Sequence, residues 1–164
     1  MRKITLVTLN ELDNIKLIYK NAREFMKLHN NPYQWGNFHP SDELLIKFIN
    51  NKVLYKITSE NNEILGVFAF IIGIDPTYIK IDGKWINDSK YGTIHALASS
   101  NKEKGIFKDI FSFALSKINH IRIDTHKDNL IMQKIILNNG FKYCGIIKIS
   151  SGDPRLAYEY IKEE

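Results

Sequence analysis

The stretch Leu97-Ala98-Ser99-Ser100-Asn101-Lys102-Glu103-Lys104-Gly105-Ile106-Phe107 sets a polar loop between an apolar strand-like run and an apolar helical run. A helix start leaves backbone N–H groups unpaired and carries the positive end of the helix dipole, so such a loop attracts phosphate. Gly105 lets the main chain come close to an anion, and Lys102 and Lys104 put positive charge at the rim. The plainer alternative is a β–α connection that holds one glycine. The loop has neither the Gly-Lys-Ser/Thr of a P-loop nor the three glycines of a dinucleotide fingerprint. Groups for proton transfer are few. His95 lies within a strand-like run, and an imidazole titrates near neutrality, so it is a candidate base or else a buried strand histidine with one hydrogen bond. Asp124 and His126 stand two apart at a strand end and so share a side; loop polarity and helix capping are the competing reading. Asp75, before Pro76, is either an acid beside an acceptor amine or a turn opener. His29, His39 and His120 fall at element ends and are expected to face solvent. No His/Cys/Asp/Glu spacing suits a metal, and the lone Cys144 reads as a small buried hydrophobe in a strand.

The surrounding pattern says which elements position these groups. Residues 2–8 alternate as a strand, and Thr8-Leu9-Asn10-Glu11 is a capping box that opens a helix carrying Leu12, Ile15, Tyr19, Ala22 and Met26 on one stripe. That helix ends near Asn30-Asn31-Pro32, a loop with Gln34, Trp35 and His39 follows, and Ser41 caps a second helix to about Asn50. Residues 53–58 and 64–72 form a hairpin, and Tyr78–Ile81 a short strand in an irregular stretch, 73–90. A strand over 91–98, a helix over 105–119 and a strand over 121–124 make a crossover that must be right-handed and parallel. Asp128 or Asn129 caps a further helix to Asn138-Asn139-Gly140, and strands over 141–149 and 156–161 close the chain. The fold class is α/β, a mixed sheet of about seven strands with helices on both faces, in one domain over residues 1–164.

Lys102-x-x-Gly105-x-Phe107 after a strand resembles the Gln/Arg-x-x-Gly-x-Gly/Ala pyrophosphate loop of the GNAT (Gcn5-related N-acetyltransferase) family. Asn129, ten residues and Gly140-Phe141 resemble its Asn-(ten residues)-Gly-Phe segment. His95 in its strand, Asp124-Thr125-His126, Cys144-Gly145-Ile146-Ile147 and Arg155-Leu156-Ala157-Tyr158 are similar to a branch of uncharacterised bacterial members. The resemblance implies the acyl-CoA N-acyltransferase fold with its partly splayed sheet, acetyl-CoA as co-substrate, no metal, and acetyl transfer to a primary amine. It implies that Leu97 and Ala98 meet the pantetheine arm, with Ser99 on the cofactor side. Amides from Lys102 through Lys104, Gly105 and Ile106 to Phe107 would hold the pyrophosphate, and Asn129 would lie near the pantetheine or the adenine. Gln34 and Trp35, with Asp75 and Tyr78 opposite, would wall the acceptor site. His95, His126 and Asp124 are the catalytic candidates. Three departures stand out: Lys102 replaces Gln or Arg, Phe107 replaces a small residue and is expected to turn into the core, and Ile136 occupies the position where many members have an acidic tyrosine. A CoA-binding sensor is the reading from another class.

The totals bound these readings. In 164 residues, 44% hydrophobic, one core can form, and no apolar run reaches the length of a membrane span. The N-terminal run lacks the pattern of a signal peptide, so a cytoplasmic protein is expected. The net charge of +5 invites a nucleic-acid reading, but only Arg2, Arg23, Arg122 and Arg155 among the 23 basic residues are arginines, and the lysines are scattered. No nucleic-acid or membrane partner is expected; a homodimer is a common outcome for such domains.

Overall fold

A computed structural model describes residues 1–163. Eight strands form one sheet in the order β1-β2-β3-β5-β6-β8-β7-β4. They are β1 (Lys3–Leu6), β2 (Leu54–Thr58), β3 (Ile64–Ile72), β4 (Asp82–Gly83), β5 (Gly92–Ser99), β6 (His120–Thr125), β7 (Lys142–Lys148) and β8 (Pro154–Ile161). The helices are α1 (Leu12–Leu28), α2 (Asp42–Asn50), α3 (Ile106–Lys117) and α4 (Leu130–Asn138).

β3 explains the layering. Its apolar run is buried on both faces, and alternate side chains go to opposite cores. Val67 and Ala69 join Ile15, Tyr19, Leu45 and Ile49 of α1 and α2. Phe68 and Phe70 join Ile106, Phe107, Ile110 and Phe111 of α3, with Ile136 of α4. Phe107 is 7% exposed, so its ring fills this core and leaves the loop before α3 uncrowded. Truncating such a ring costs about 3–5 kcal/mol.

Helix ends follow local chemistry. The Thr8 N–H donates to Glu11 Oε1 at 3.0 Å, although the turn it starts is 3-10 over Leu9–Glu11 before α1 begins. Ser41 Oγ accepts from Leu44 N, and Asn129 Oδ1 from Met132 N at 3.0 Å. Of the two capping candidates ahead of α4, Asn129 is the one used.

Two expectations need correction. Residues Tyr78–Ile81 are not a strand: Asp75 Oδ1 accepts from Thr77 N at 2.9 Å, and with Pro76 at its first position a 3-10 turn covers Pro76–Tyr78. The strand of this segment is β4, the eighth, pairing Asp82 with Ile146 and Gly83 with Gly145. The approach there is so close that a Cβ on Gly83 would lie 2.2 Å from the Cys144 carbonyl oxygen. His120 does not face solvent either. It is 3% exposed, with Nε2 on the Glu159 carboxylate, which also accepts from Arg122 Nε at 2.7 Å. The Arg122 guanidinium lies 4.0 Å from the Trp85 ring centroid and 4.1 Å from that of Tyr91, pinning the 84–91 segment to the sheet. Trp85 is thus an anchor.

The sheet splits at its centre. β5 and β6 run parallel, but only Gly92↔Ile121 and Thr93↔Arg122 pair. Beyond them β5 continues to Ser99 and β6 to Thr125 without a shared register, which opens a gap.

Candidate functional site

Two hollows meet at this gap. One, of about 890 Å³, runs between α1 and the stretch from Leu97 through the loop to α3 and on to α4. The other, of about 540 Å³, lies on the opposite side between the Gln34–Trp35 loop, β5, β6 and the turn into β8. Met26, Leu97, Asn129 and Met132 line both.

The junction is shaped by a bulge in β5. Ala69 pairs with His95 and Val67 with Ala98, so Ala96 and Leu97 together oppose Phe68. Ala96 sits at φ 51°, a left-handed conformation that costs a non-glycine residue roughly 1 kcal/mol. Buried Tyr19 holds it there, its hydroxyl donating to the Ala96 carbonyl at 2.6 Å.

In the first hollow the loop before α3 presents its backbone. Asn101 N donates to Ser99 Oγ and Lys102 N to Ser100 Oγ, so these two amides are in use. The amides of Glu103, Lys104, Gly105, Ile106, Phe107 and Lys108 have no acceptor among the described residues. Gly105 is the N-cap at φ 79°, and a Cβ there would meet only Arg2 Nη1, at 3.6 Å. Arg2 is a residue the linear sequence did not flag. It is fixed by Asp109 at 2.8 Å and the Lys104 carbonyl at 2.6 Å, and brings a guanidinium beside the loop from a hundred residues away. Lys102 is exposed and 3.5 Å from Glu63, so part of its charge is answered. Asn31, also unflagged, is 3% exposed, lines this hollow, and its Oδ1 has no hydrogen-bond partner. An anion with flanking amide groups fits these unspent donors and this unspent acceptor.

The second hollow holds the titratable groups. His95 Nε2 lies 2.6 Å from Asp75 Oδ2. Burial opposes charge on His95, but the Asp75 hydrogen bond and the negative charges of Asp124 and Asp75 outweigh it and raise the imidazole above its ordinary value. Burial likewise opposes ionisation of Asp75, yet bonds from His95 and Thr77 hold its carboxyl down at about 2. The Tyr91 hydroxyl fixes the Asp75 amide at 2.8 Å.

Asp124 lines the hollow and accepts the Tyr78 hydroxyl at 2.6 Å. Tyr78 itself is 1% exposed and supports Asp124 from below, so it stands behind the wall it was expected to form. His126 lines neither hollow: its Nδ1 accepts from Asp128 N at 3.0 Å, which fixes the turn into α4 and separates it from His95. Gln34 is already engaged. Its Oε1 accepts from Asn31 Nδ2 at 2.8 Å and Asn129 Nδ2 at 2.9 Å, tying the loop after α1 across the gap. Trp35 packs on Tyr19, centroids 5.7 Å apart, with one edge on the hollow.

A sheet that parts between β5 and β6, with a bulge and a donor-rich helix start on one strand, finds close counterparts among solved structures. A GNAT family acetyltransferase of Streptococcus agalactiae matches with a TM-score of 0.88 and 29% identity over 99% of this chain and 96% of that one. This is the GNAT acyl-CoA N-acyltransferase fold. A GNAT family acetyltransferase of Listeria monocytogenes matches at TM-score 0.72 and 14% identity over 98% and 95% of the two chains. A chain of a NatC complex bound to Gag peptide and CoA matches at 0.64 and 14%, over 99% of each. No protein-family model matches the sequence, and no curated protein does. The likeness to GNAT acetyltransferases covers the whole sheet. Against the usual GNAT pattern, Ile136 of α4 is fully buried in the core under the helix's inner face, so the position of the missing tyrosine is a packing site in this protein.

Among the described residues no group of three His, Cys, Asp or Glu could hold a metal ion, and no helix is long and apolar enough to cross a membrane.

Proposed function

We propose that the protein transfers an acetyl group from acetyl-CoA to a primary amine, by direct attack with both substrates bound. The observation that carries this reading is the junction: six unspent amides in the loop before α3 and its first turn on one side of the gap, and the His95–Asp75 pair on the other. In this reading the diphosphate rests on the amides from Glu103 to Lys108, with Arg2 and Lys104 alongside. Asn31 Oδ1 accepts an amide N–H of the pantetheine arm, and the arm runs along Leu97 and Ala98 toward the bulge. Acetyl-CoA supplies an activated thioester.

The amine enters through the second hollow. Its nitrogen attacks the thioester carbonyl, the C–N bond forms, the oxygen takes up negative charge near the bulge, and the C–S bond then breaks. The amine proton goes to neutral His95, which Asp75 orients. Ile136 offers no proton, so CoA either departs as a thiolate or takes its proton from another group. Holding both reactants in line supplies roughly 7–11 kcal/mol at best, and a placed base a further factor of about 10²–10⁴.

Gly105→Glu tests the cofactor half. A Cβ there would meet only the Arg2 tip, at 3.6 Å, so the side chain has room; the left-handed φ of 79° adds a strain of about 1–2 kcal/mol, which thermal unfolding of the variant reads separately from the carboxylate's entry into the diphosphate position. Calorimetric acetyl-CoA binding should weaken by at least about tenfold; unchanged saturable binding overturns the reading. Thiol release with an amine panel tests the other half. The missing tyrosine favours a second reading, a CoA-binding sensor, and tight CoA binding with no turnover on any amine would establish it.

A further inference from the structure

The second hollow contains a buried cation that no carboxylate of the described residues contacts. Arg155, the second residue of β8, is 5% exposed and lines this hollow. Its Nη1 donates to the Pro154 carbonyl and its Nη2 to the Gln34 carbonyl, both at 2.9 Å. No carboxylate of the described residues lies within 4.0 Å of it. Arg122, equally buried on the same face of the sheet, shows what the fold does for an arginine it means to keep structural: a carboxylate at 2.7 Å, a carbonyl at 2.8 Å and two aromatic faces. Burying a guanidinium without its counter-charge is costly, and the group stays ionised. None of the nearby acids pairs with it directly, although Asp124 and Asp153, which line the same hollow, act on it from a distance. Asp75 is bound to His95 and Thr77, Asp124 holds the Tyr78 hydroxyl, and Asp153 lies exposed in the turn before β8. A guanidinium has five N–H donors in a planar fork that suits a carboxylate, and only two are engaged with protein.

We infer that the acceptor is a small amino acid in the broad sense, a molecule bearing a free carboxylate together with its amine, and that Arg155 receives the carboxylate. The inference rests on the acyl-transfer reading above. The amine end then faces the opposite wall, where His95 takes its proton and Asp124 favours an incoming ammonium. A hollow of about 540 Å³ accommodates such a molecule. Arg155 Nη2 also holds the Gln34 carbonyl, so the residue that fixes the carboxylate fixes the loop closing the same hollow.

The test uses wild-type protein, acetyl-CoA and thiol release, with the common L-amino acids and short ω-amino acids each paired with its carboxamide. Rates are compared per unprotonated amine. At least one acid should exceed its amide in kcat/KM by roughly 10- to 100-fold, the worth of a charge-assisted hydrogen bond or two. Arg155→Met should bring that acid-to-amide ratio to near one, and Arg155→Lys should restore part of it. Amides used as well as acids throughout, or a ratio unmoved in Arg155→Met, overturns the inference. If no amine releases thiol, acyl transfer itself fails, and calorimetry of CoA-saturated protein with the same pairs decides this point alone. Tighter acid than amide binding, lost in Arg155→Met, upholds it, and equal binding overturns it.

Discussion

Asp75→Asn removes one charge at the centre of the proposed acceptor site and keeps the side chain's shape and its acceptor oxygen for Thr77. Burial works against the Asp75 anion, yet His95 and Thr77 bring its carboxyl from the ordinary 3.8 to about 2, which corresponds to about 2 kcal/mol in favour of the folded anion. Both side chains are mostly buried, 25% and 16% exposed for His95 and Asp75, so solvent screening is limited. The sign follows from the two directions. A depressed carboxyl stabilises the fold above its unfolded value near 4 and loses that contribution as pH falls toward 2. A raised imidazole stabilises it fully below 6.5 and loses that contribution as pH rises through the folded value. The pair therefore acts between these limits, and pH 6 lies inside them. At pH 6 Asp75→Asn should cost about 2 kcal/mol, or about 4–8 °C in Tm for a domain of this size, and clearly less at pH 9. The catalytic consequence runs the other way along the axis. A base must be neutral, so wild-type kcat/KM should rise with pH through an inflection above the ordinary imidazole value. In Asp75→Asn burial prevails, and the inflection moves to lower pH. Superimposable pH profiles, or a Tm deficit equal at pH 6 and pH 9, refute His95 as a base tuned by Asp75.

Tyr19→Phe should cost about 1–3 kcal/mol, because the Ala96 carbonyl at the bulge loses its donor; kcat should fall more than the stability loss explains, read by kinetics well below Tm. Arg122→Ala leaves Glu159, which is 0% exposed, with His120, the Ile86 amide and the weak Cys144 thiol donor but no permanent cation, and should cost about 3–5 kcal/mol in denaturant unfolding. Gln34→Leu strips Asn31 and Asn129 of their shared acceptor; the expected result is a raised KM for both substrates with a smaller change in kcat, measured by thiol release.

The elements were largely readable because their signals are local. Apolar alternation in β3, the Ser41 and Asn129 caps and the Asn138-Asn139-Gly140 stop each depend on a few adjacent residues. The loop at Gly105 was legible for the same reason, since a β–α connection with one glycine writes its geometry into consecutive residues. What stayed hidden depends on residues far apart in the chain. Arg2 reaches the loop from just ahead of the edge strand β1, buried His120 meets Glu159 of the neighbouring strand β8, and Tyr78 finds Asp124 of β6. His95 and Asp75, both flagged singly, become a pair only when the turn at Pro76 folds over β5. Asp124 and His126 share a strand parity, but the turn that His126 caps ends the strand and sends the two apart.

The bulge and the split in the sheet are one structural event seen from two sides of β5. Toward β3 the strand spends two residues, Ala96 and Leu97, against Phe68, and then resumes pairing at Ala98 and Ser99. Toward β6 its pairing stops after Thr93. From Ile94 onward one edge of β5 is therefore anchored and the other bare, while β6 is held on its far side by β8 through Thr125. Such a bare edge can accept an extended chain as an added strand would. It would also invite a wrong partner if it lay open to solvent. Gln34 answers that hazard: bonded to Asn31 at the end of α1 and to Asn129 at the start of α4, it bridges the two halves of the sheet above the gap. The gap is consequently backed by strand pairing on both walls and strapped at one end, an arrangement that limits the ordering that alignment of two substrates would otherwise cost.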